Sequence, residues 1–121
     1  MKKLRVMIVE DNKIIAGLLA ELIEAIGHEV CGIESSESGS VAGACRLKPD
    51  LMIVDVHLQD GSGINAVEAI TRECRVPHIF VSGDASAVRL LKPKATVLQK
   101  PYFELDLLLA IKSALGAPEA L

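Results

Sequence analysis

The segment LMIVD, residues 51–55, consists of four consecutive apolar residues followed by a carboxylate. Pro49 precedes it, and Gly61 and Gly63 follow it, so the apolar run is short and bounded by turn-forming residues. A run of this kind is typical of a strand that is buried on both faces of a parallel sheet. Asp55 is therefore predicted to end a central strand, at the sheet edge where open α/β folds bind their ligands.

Composition favours one compact domain. The chain has 121 residues, half of them apolar, and a mean hydropathy of +0.38. We therefore expect a single domain over residues 1–121, with a core at about 4–116. The net charge of −3 lacks the basic excess that nucleic-acid binding requires. No apolar segment has the length of a signal-peptide core or a membrane span, so we expect a cytoplasmic protein with no membrane partner.

The three cysteines indicate the redox environment. They are odd in number, widely spaced, and each falls in an apolar segment: Cys31, Cys45 and Cys74. This pattern argues against a disulfide framework or a zinc site, and it predicts reduced, buried thiols.

Strand and helix patterns alternate along the whole chain. The predicted strands cover residues 4–9, 29–33, 51–55, 78–81 and 95–98. The predicted helices cover about 13–26, 41–47, 64–73, 85–91 and 103–115, with Asn12 as an N-cap, stops at Gly27 and Gly116, and a frayed tail at 117–121. Such alternation predicts an α/β fold with a doubly wound, five-stranded parallel sheet and helices on both faces.

Polar side chains follow four of these strands. Glu10, Asp11, Asp55, Ser82 and Lys100 all stand at strand ends, which a parallel sheet brings to one edge. Three crowded carboxylates repel one another unless a cation shares the site. Oxygen ligands without His or Cys side chains favour Mg²⁺.

This set of side chains suits phosphoryl transfer. Asp55 could attack phosphorus, as carboxylates do in aspartyl-phosphate chemistry, while the metal neutralises the incoming group. Lys100 could pair with one phosphoryl oxygen, and Ser82 could donate a hydrogen bond to another.

The order Glu10-Asp11, Asp55, Ser82-Gly83, Lys100-Pro101 over the full length resembles the receiver domain of bacterial two-component response regulators. The resemblance implies a flavodoxin-like strand order, 2-1-3-4-5. It also implies that Asp55 accepts a phosphoryl group from a sensor histidine kinase or a phosphotransfer protein. The chain would then act as a signalling switch that changes partner binding or passes the phosphoryl group on in a phosphorelay, not as an enzyme.

The resemblance also assigns roles around Asp55. Mg²⁺ would be held by Glu10, Asp11, Asp55 and the backbone carbonyl of His57. On activation the hydroxyl of Ser82 would move toward the phosphoryl group, with Gly83 beside it in the switch. The peptide bond before Pro101 would be cis, and Gly63 matches the glycine that follows the phosphorylation loop.

The chain departs from the family in three places. Val97 stands where receivers usually carry an aromatic switch residue, and Gln59 stands where proline is common. The segment between Ser82 and Lys100 is shorter than usual by roughly one helical turn, about four residues, which resembles an atypical group of stand-alone receivers. We hypothesise that output relies on residues 83–94 ordering around the phosphoryl group.

Other functions remain open at this stage. An aspartyl phosphatase or mutase would need an acidic residue at position 57, where this chain has His57. A flavin-binding module would need a phosphate-binding loop after the first strand, where the carboxylates of Glu10 and Asp11 would repel the phosphate. A receiver-like module that works without phosphorylation is the main alternative. We expect His28 and His78 to be structural and the His57 imidazole to be exposed, and we hypothesise that His57 and Asp84 tune phosphoaspartate hydrolysis.

The sequence gives less information about partners. We expect no output domain in this chain and therefore an unidentified downstream protein partner. A homodimer is one of the oligomeric states left open.

Overall fold

The strands and helices alternate as predicted in a computed structural model, which describes residues 2–116. The main sheet contains β1 (Arg5–Val9), β2 (Glu29–Glu34), β3 (Leu51–Asp55), β4 (His78–Ser82) and β5 (Thr96–Gln99). The helices are α1 (Lys13–Ala25), α2 (Glu37–Leu47), α3 (Gly63–Glu73), α4 (Ala85–Leu91) and α5 (Glu104–Gly116). An antiparallel hairpin of His57–Leu58 and Gly61–Ser62 follows β3.

The strand order in the sheet is β2-β1-β3-β4-β5, and all neighbouring strands are parallel. The predicted doubly wound topology is therefore confirmed. All five residues of β3 are buried, because β1 and β4 flank the strand and helices cover both faces. Asp55 consequently ends the most enclosed strand of the sheet.

The two faces of the sheet carry separate apolar cores. Alternate residues of β1 point to opposite sides, so Val6 and Ile8 join one core and Met7 and Val9 join the other. The first core contains the buried residues of α1 and α5, and the second contains those of α2, α3 and α4. Burial on both faces explains why residues 51–54 of β3 are all apolar.

Side-chain caps fix the helix starts. Asn12 caps α1 by accepting hydrogen bonds from the N–H groups of Ile14 and Ile15, as predicted. Ser36 caps α2, which therefore begins four residues before the predicted Val41. After α1 the chain turns at Gly27, whose φ of 100° favours glycine.

Two boundaries at the C-terminal side differ slightly from the prediction. β5 begins at Thr96 because the N–H of Ala95 donates to the carbonyl of Lys92 in a turn. Gly116, predicted as a stop, is the last residue of α5. The predicted frayed tail at 117–121 lies outside the described residues.

The apolar stripe of α1 is only partly in the core. Leu19 and Ile23 are buried, whereas Ile14 and Leu18 are 76% and 62% exposed. The helix is therefore more apolar than its packing requires. Its exposed apolar flank lies beside Ile15, which lines a cavity next to Asp55.

The prediction of buried thiols is wrong for two of the three cysteines. Cys45 is exposed because α2 packs through Ser40, Gly43 and Ala44 instead. Cys74 is exposed as the residue that ends α3, and Cys31 is half-buried. All three are free thiols. Burial raises the pKa of Cys31, which keeps it a protonated thiol at neutral pH.

Two histidines have structural positions, as predicted. His28 is buried, and its Nδ1 accepts a hydrogen bond from the N–H of Leu4. The ring of His78 packs edge-on against Phe80 in the second core. The imidazole of His57 is exposed. Among residues 2–116, no helix is long and apolar enough to cross a membrane.

Candidate functional site

The side chains of Asp55 and Lys100 meet at the carboxyl edge of the sheet. Asp55 is 5% exposed, and its Oδ2 accepts a hydrogen bond from Lys100 Nζ at 2.7 Å. Its other oxygen, Oδ1, accepts from the N–H of His57 at 3.0 Å. A buried carboxylate therefore has a cation on one side and a backbone donor on the other, which lowers the cost of burying its charge.

Gly63 fixes the backbone of Asp55 from the opposite side. The N–H of Gly63 donates to the carbonyl of Val56 at 2.9 Å. A Cβ at position 63 would collide with the carbonyl oxygen of Asp55 and with the side chain of Val54. Only glycine allows this close approach of α3 to the end of β3.

Glu10 completes an acidic pair with Asp55. Burial, reinforced by its hydrogen bond to Asp55 and the charge of that group, raises the pKa of Glu10 to about 7. The hydrogen bond that Glu10 Oε2 accepts from the N–H of Asn12 opposes this rise. Glu10 is thus partly protonated near neutral pH when no metal ion is bound.

Lys100 is the cation of the site. Burial alone lowers its pKa, but the hydrogen bond and charge of Asp55, together with the charge of Glu10, outweigh burial, so the pKa is raised. The ammonium group is therefore fully charged at neutral pH. The peptide bond between Lys100 and Pro101 is cis, in agreement with the resemblance.

Asp11 holds the loop that follows β3. Its Oδ2 accepts a hydrogen bond from the N–H of Gln59 at 2.6 Å. Proline has no N–H, so the residue that is common in the family at position 59 could not make this bond. The departure from the family at Gln59 therefore has a structural role, because it ties the hairpin to Asp11.

The donor chemistry of the acidic cluster fits a hard divalent ion. The carboxyl group of Glu10 lies within hydrogen-bonding reach of those of Asp55 and Asp11, so three carboxyl groups lie near one another. Within residues 2–116, however, no three His, Cys, Asp or Glu side chains already have the geometry of a metal site. Oδ2 of Asp55 is paired with Lys100 and Oδ2 of Asp11 with the N–H of Gln59, which leaves a second oxygen on each carboxylate as a possible metal ligand. The Mg²⁺ site, including the carbonyl of His57, stays a prediction.

Ser82 lies at the end of β4, 1% exposed. Its Oγ accepts a hydrogen bond from the N–H of Asp84, and its carbonyl accepts one from the N–H of Lys100 at 2.8 Å. Ser82 does not cap α4, since Asp84 fills that position. The resting hydroxyl therefore belongs to a local turn.

The other two predicted switch residues differ in their surroundings. Val97 is half-buried and packs against the second core, so it is a core residue with no ring to move. Gly83 has open space where a Cβ would lie, so packing does not demand glycine there.

The sequence reasoning missed two residues of the site. Tyr102 lines a cavity of about 500 Å³ together with Glu10, Asp55 and Lys100, and burial raises its pKa. Gln99 connects the loops after β4 and β5 through its side-chain amide. Its place next to Lys100 was the available signal, because the loop partners of Gln99, at Gly83 and Ala85, are backbone groups distant in sequence.

A family model for the response regulator receiver domain matches residues 6–112. The chain is 34% identical to the phyllosphere-induced regulator PhyR of Methylorubrum extorquens over 116 residues, which cover 91% of this chain and 43% of that protein. It is 32% identical to the transcriptional regulatory protein PdtaR of Mycobacterium tuberculosis over 118 residues, 93% of this chain and 57% of that one. The chain thus spans about half the length of these relatives.

Solved structures agree with the fold. The receiver domain of the PhyR response regulator from Erythrobacter litoralis superimposes with a TM-score of 0.86 at 28% identity, over 100% of this chain and 98% of that one. The anti-anti-sigma factor PhyR from Bartonella quintana superimposes with a TM-score of 0.83 at 31% identity, over 95% of this chain and 48% of that one.

Proposed function

This chain belongs to the response regulator receiver domain family of two-component systems, and from that membership we propose that it is a switch controlled by phosphorylation of Asp55. The phosphoryl donor is the phosphohistidine of a sensor kinase or of a phosphotransfer protein. The single observation that carries the proposal is the buried Asp55 carboxylate held 2.7 Å from the ammonium of Lys100.

The side chains of the site divide the reaction between them. A carboxylate oxygen of Asp55 attacks phosphorus, a P–O bond forms, and the P–N bond to the donor histidine breaks with its electron pair returning to the ring. Lys100 then shifts its ion pair from the free carboxylate to a phosphoryl oxygen. Because its pKa is raised, Lys100 supplies a full charge throughout the reaction at neutral pH.

We assign Mg²⁺ to Glu10, Asp11, Asp55 and the backbone carbonyl of His57. When bound, the ion neutralises charge on the transferring phosphoryl group. The chain's own part is to supply the oxygens: Glu10 must lose its proton, and Asp11 can offer Oδ1 while Oδ2 keeps the N–H of Gln59. The position of Glu10, buried beside two other carboxyl groups, supports this assignment, because a bound cation would offset the cost of ionising Glu10 there.

We further propose that output passes through a protein partner. The Bartonella relative is described as an anti-anti-sigma factor, and this chain matches about half of that protein. For the present chain we propose only the role of a receiver domain in such a system, which is to change a protein–protein contact when it is phosphorylated. Residues 83–94 are the proposed moving segment because Ser82 leads directly into them and α4 is short.

Phosphorylation can be tested by intact mass. The protein is incubated with MgCl₂ and acetyl phosphate, and we expect wild type to gain the mass of one phosphoryl group while Asp55→Asn gains none. Asp60→Asn is the matched control, since Asp60 is an exposed acid in the neighbouring hairpin and should leave the reaction unchanged. Equal labelling of Asp55→Asn and wild type would refute Asp55 as the acceptor.

A further inference from the structure

The Gln99 side chain bridges the loop that follows Ser82 and the loop that follows β5. Its Oε1 accepts a hydrogen bond from the N–H of Ala85 at 2.9 Å. Its Nε2 donates to the carbonyl of Gly83 at 2.6 Å and to the carbonyl of Lys100 at 2.9 Å. One amide at the end of β5 thus holds two backbone groups of the segment that follows Ser82.

These bonds restrain the segment that must move. A movement of the backbone after Ser82 toward Asp55 would displace the Gly83 peptide, whose carbonyl accepts a hydrogen bond from Gln99. The N–H of Ala85 belongs to the first residue of α4 and so has no acceptor within the helix. Gln99 supplies that acceptor from another strand, which couples the start of α4 to β5.

The two bonds act on a segment that has few buried side chains. α4 has seven residues, of which Ala85 and Val88 are buried. Val97 provides no aromatic ring that could report movement of Ser82 to the rest of the sheet. Two side-chain hydrogen bonds join the β4–α4 loop and the first residue of α4 to the end of β5.

We propose that Gln99 is a positioning residue that stabilises the resting conformation of residues 82–85 and must release Gly83 when the switch turns on. This inference rests on the proposed function, because it concerns how Asp55 phosphorylation is opposed. Loss of the bridge leaves the ion pair of Lys100 with Asp55 and the backbone bond of Lys100 to Ser82 intact. It should therefore shift the equilibrium toward the active conformation without damaging the site.

The first measurement needs no phosphoryl group. Gln99→Met keeps the length of the side chain and removes both hydrogen bonds to the loop. Amide exchange followed by NMR should show the Ala85 N–H exchanging about tenfold faster than in wild type. Gln99→Glu keeps the acceptor for Ala85, so its N–H should stay protected. Unchanged protection of Ala85 in Gln99→Met would show that the bridge does not exist in solution.

The second measurement tests whether the Gln99 bridge opposes the binding of a phosphoryl group at Asp55. Wild type and variants are titrated with beryllium fluoride, a phosphoryl mimic, in MgCl₂, and the amide NMR spectrum reports binding. Removing a restraint on the resting state raises apparent affinity, so we expect Gln99→Met to bind the mimic about fivefold tighter. Gln99→Glu should also bind more tightly, because a carboxylate cannot donate to the carbonyl of Gly83. Thr96→Val, on the same strand, is the control and should stay within about twofold of wild type.

The outcomes separate the inference from the proposed function. Unchanged or weaker binding by Gln99→Met, with Ala85 unprotected, overturns the coupling while Asp55 phosphorylation stands. A wild type that neither binds the mimic nor labels with acetyl phosphate overturns the proposed function and the regulatory role with it. The exchange measurement still reports on the bridge in that case. Circular dichroism melts of each variant check that the fold is retained.

Discussion

At the scale of single residues, the site is a balance of buried charges. The carboxylate of Asp55 is stabilised by Lys100, while Glu10 beside it has no cation of its own and has its pKa raised to about 7. The carboxylate of Asp11 accepts a hydrogen bond from the N–H of Gln59. The geometry of the acceptor therefore depends on backbone groups as much as on the charged side chains.

Gly63 provides a test of that geometry. We expect Gly63→Ala to destabilise the protein by about 2 kcal/mol or more, because its Cβ would collide with the carbonyl of Asp55. Labelling by acetyl phosphate should slow as well, since the displaced group is the acceptor. Urea unfolding and intact mass give the two values.

Gly17→Ala is the matched control for this substitution. Gly17 lies in α1 with open space where the Cβ would lie, so alanine should stabilise the protein by about 0.5–1 kcal/mol. Equal stability of wild type and Gly63→Ala would mean that α3 does not approach Asp55 as closely as described.

At the scale of elements, α1 and α4 differ in how much of their surface is used. α1 leaves Ile14 and Leu18 exposed beside the edge of the sheet that holds Asp55. α4 is a short helix whose end is tied to α3 by the ion pair of Lys92 with Glu68. We interpret the flank of α1 as available for a phosphoryl donor and α4 as part of the moving segment.

The role of α1 can be tested with Leu18→Gln. Glutamine has a helix propensity close to that of leucine, and Leu18 is mostly exposed, so stability should change by less than about 0.5 kcal/mol. Transfer from a sensor kinase that phosphorylates wild type should slow about tenfold, because a docking contact is lost. Labelling by acetyl phosphate should not change.

Leu109→Gln serves as the control for the α1 variant. Leu109 is an exposed leucine of α5, 57% accessible, and it lies away from α1. Its substitution should leave both reactions unchanged. If Leu18→Gln slows both reactions equally, the flank acts on the site itself and not on the donor.

At the scale of the whole molecule, folding brings together acids that repel each other, and this links stability to pH. The pKa of Glu10 rises from an ordinary value of 4.5 to about 7 in the folded protein. Between these pH values the folded state retains a proton that the unfolded state has released. The contribution of Glu10 is therefore fully present below about pH 4.5 and is lost as pH rises through 7.

We expect this linkage in metal-free buffer. The free energy of unfolding should fall by on the order of 2–3 kcal/mol more in wild type than in Glu10→Gln between about pH 4.5 and about pH 8. Urea unfolding with EDTA measures both proteins. Because Mg²⁺ binding displaces the same proton, added MgCl₂ should stabilise wild type more at about pH 8 than at about pH 6. Identical pH profiles for the two proteins would contradict a raised pKa at Glu10.

The sequence by itself determined the parallel α/β fold and the polar side chains at the strand ends, but not the contributions of Tyr102 and Gln99 to the site. Apolar strands that end in polar residues, with helices between them, permit few arrangements other than a parallel sheet. That sheet places Glu10, Asp55, Ser82 and Lys100 at one edge. Local patterns suffice here because burial on both faces of a strand and capping at a helix end depend on residues that are close together in the sequence.

Only the tertiary structure decided which groups contact each other. The Gln99 side chain accepts from the N–H of Ala85, and the Asp11 side chain accepts from the N–H of Gln59. These contacts, like the close approach of Gly63 to Asp55, involve backbone groups that local sequence patterns do not identify. The exposed thiol of Cys45 and the exposed flank of α1 likewise depend on how the helices are rotated on the sheet. Hydrophobic periodicity identifies an apolar stripe but not the part of it that the sheet covers, because that choice is made by packing.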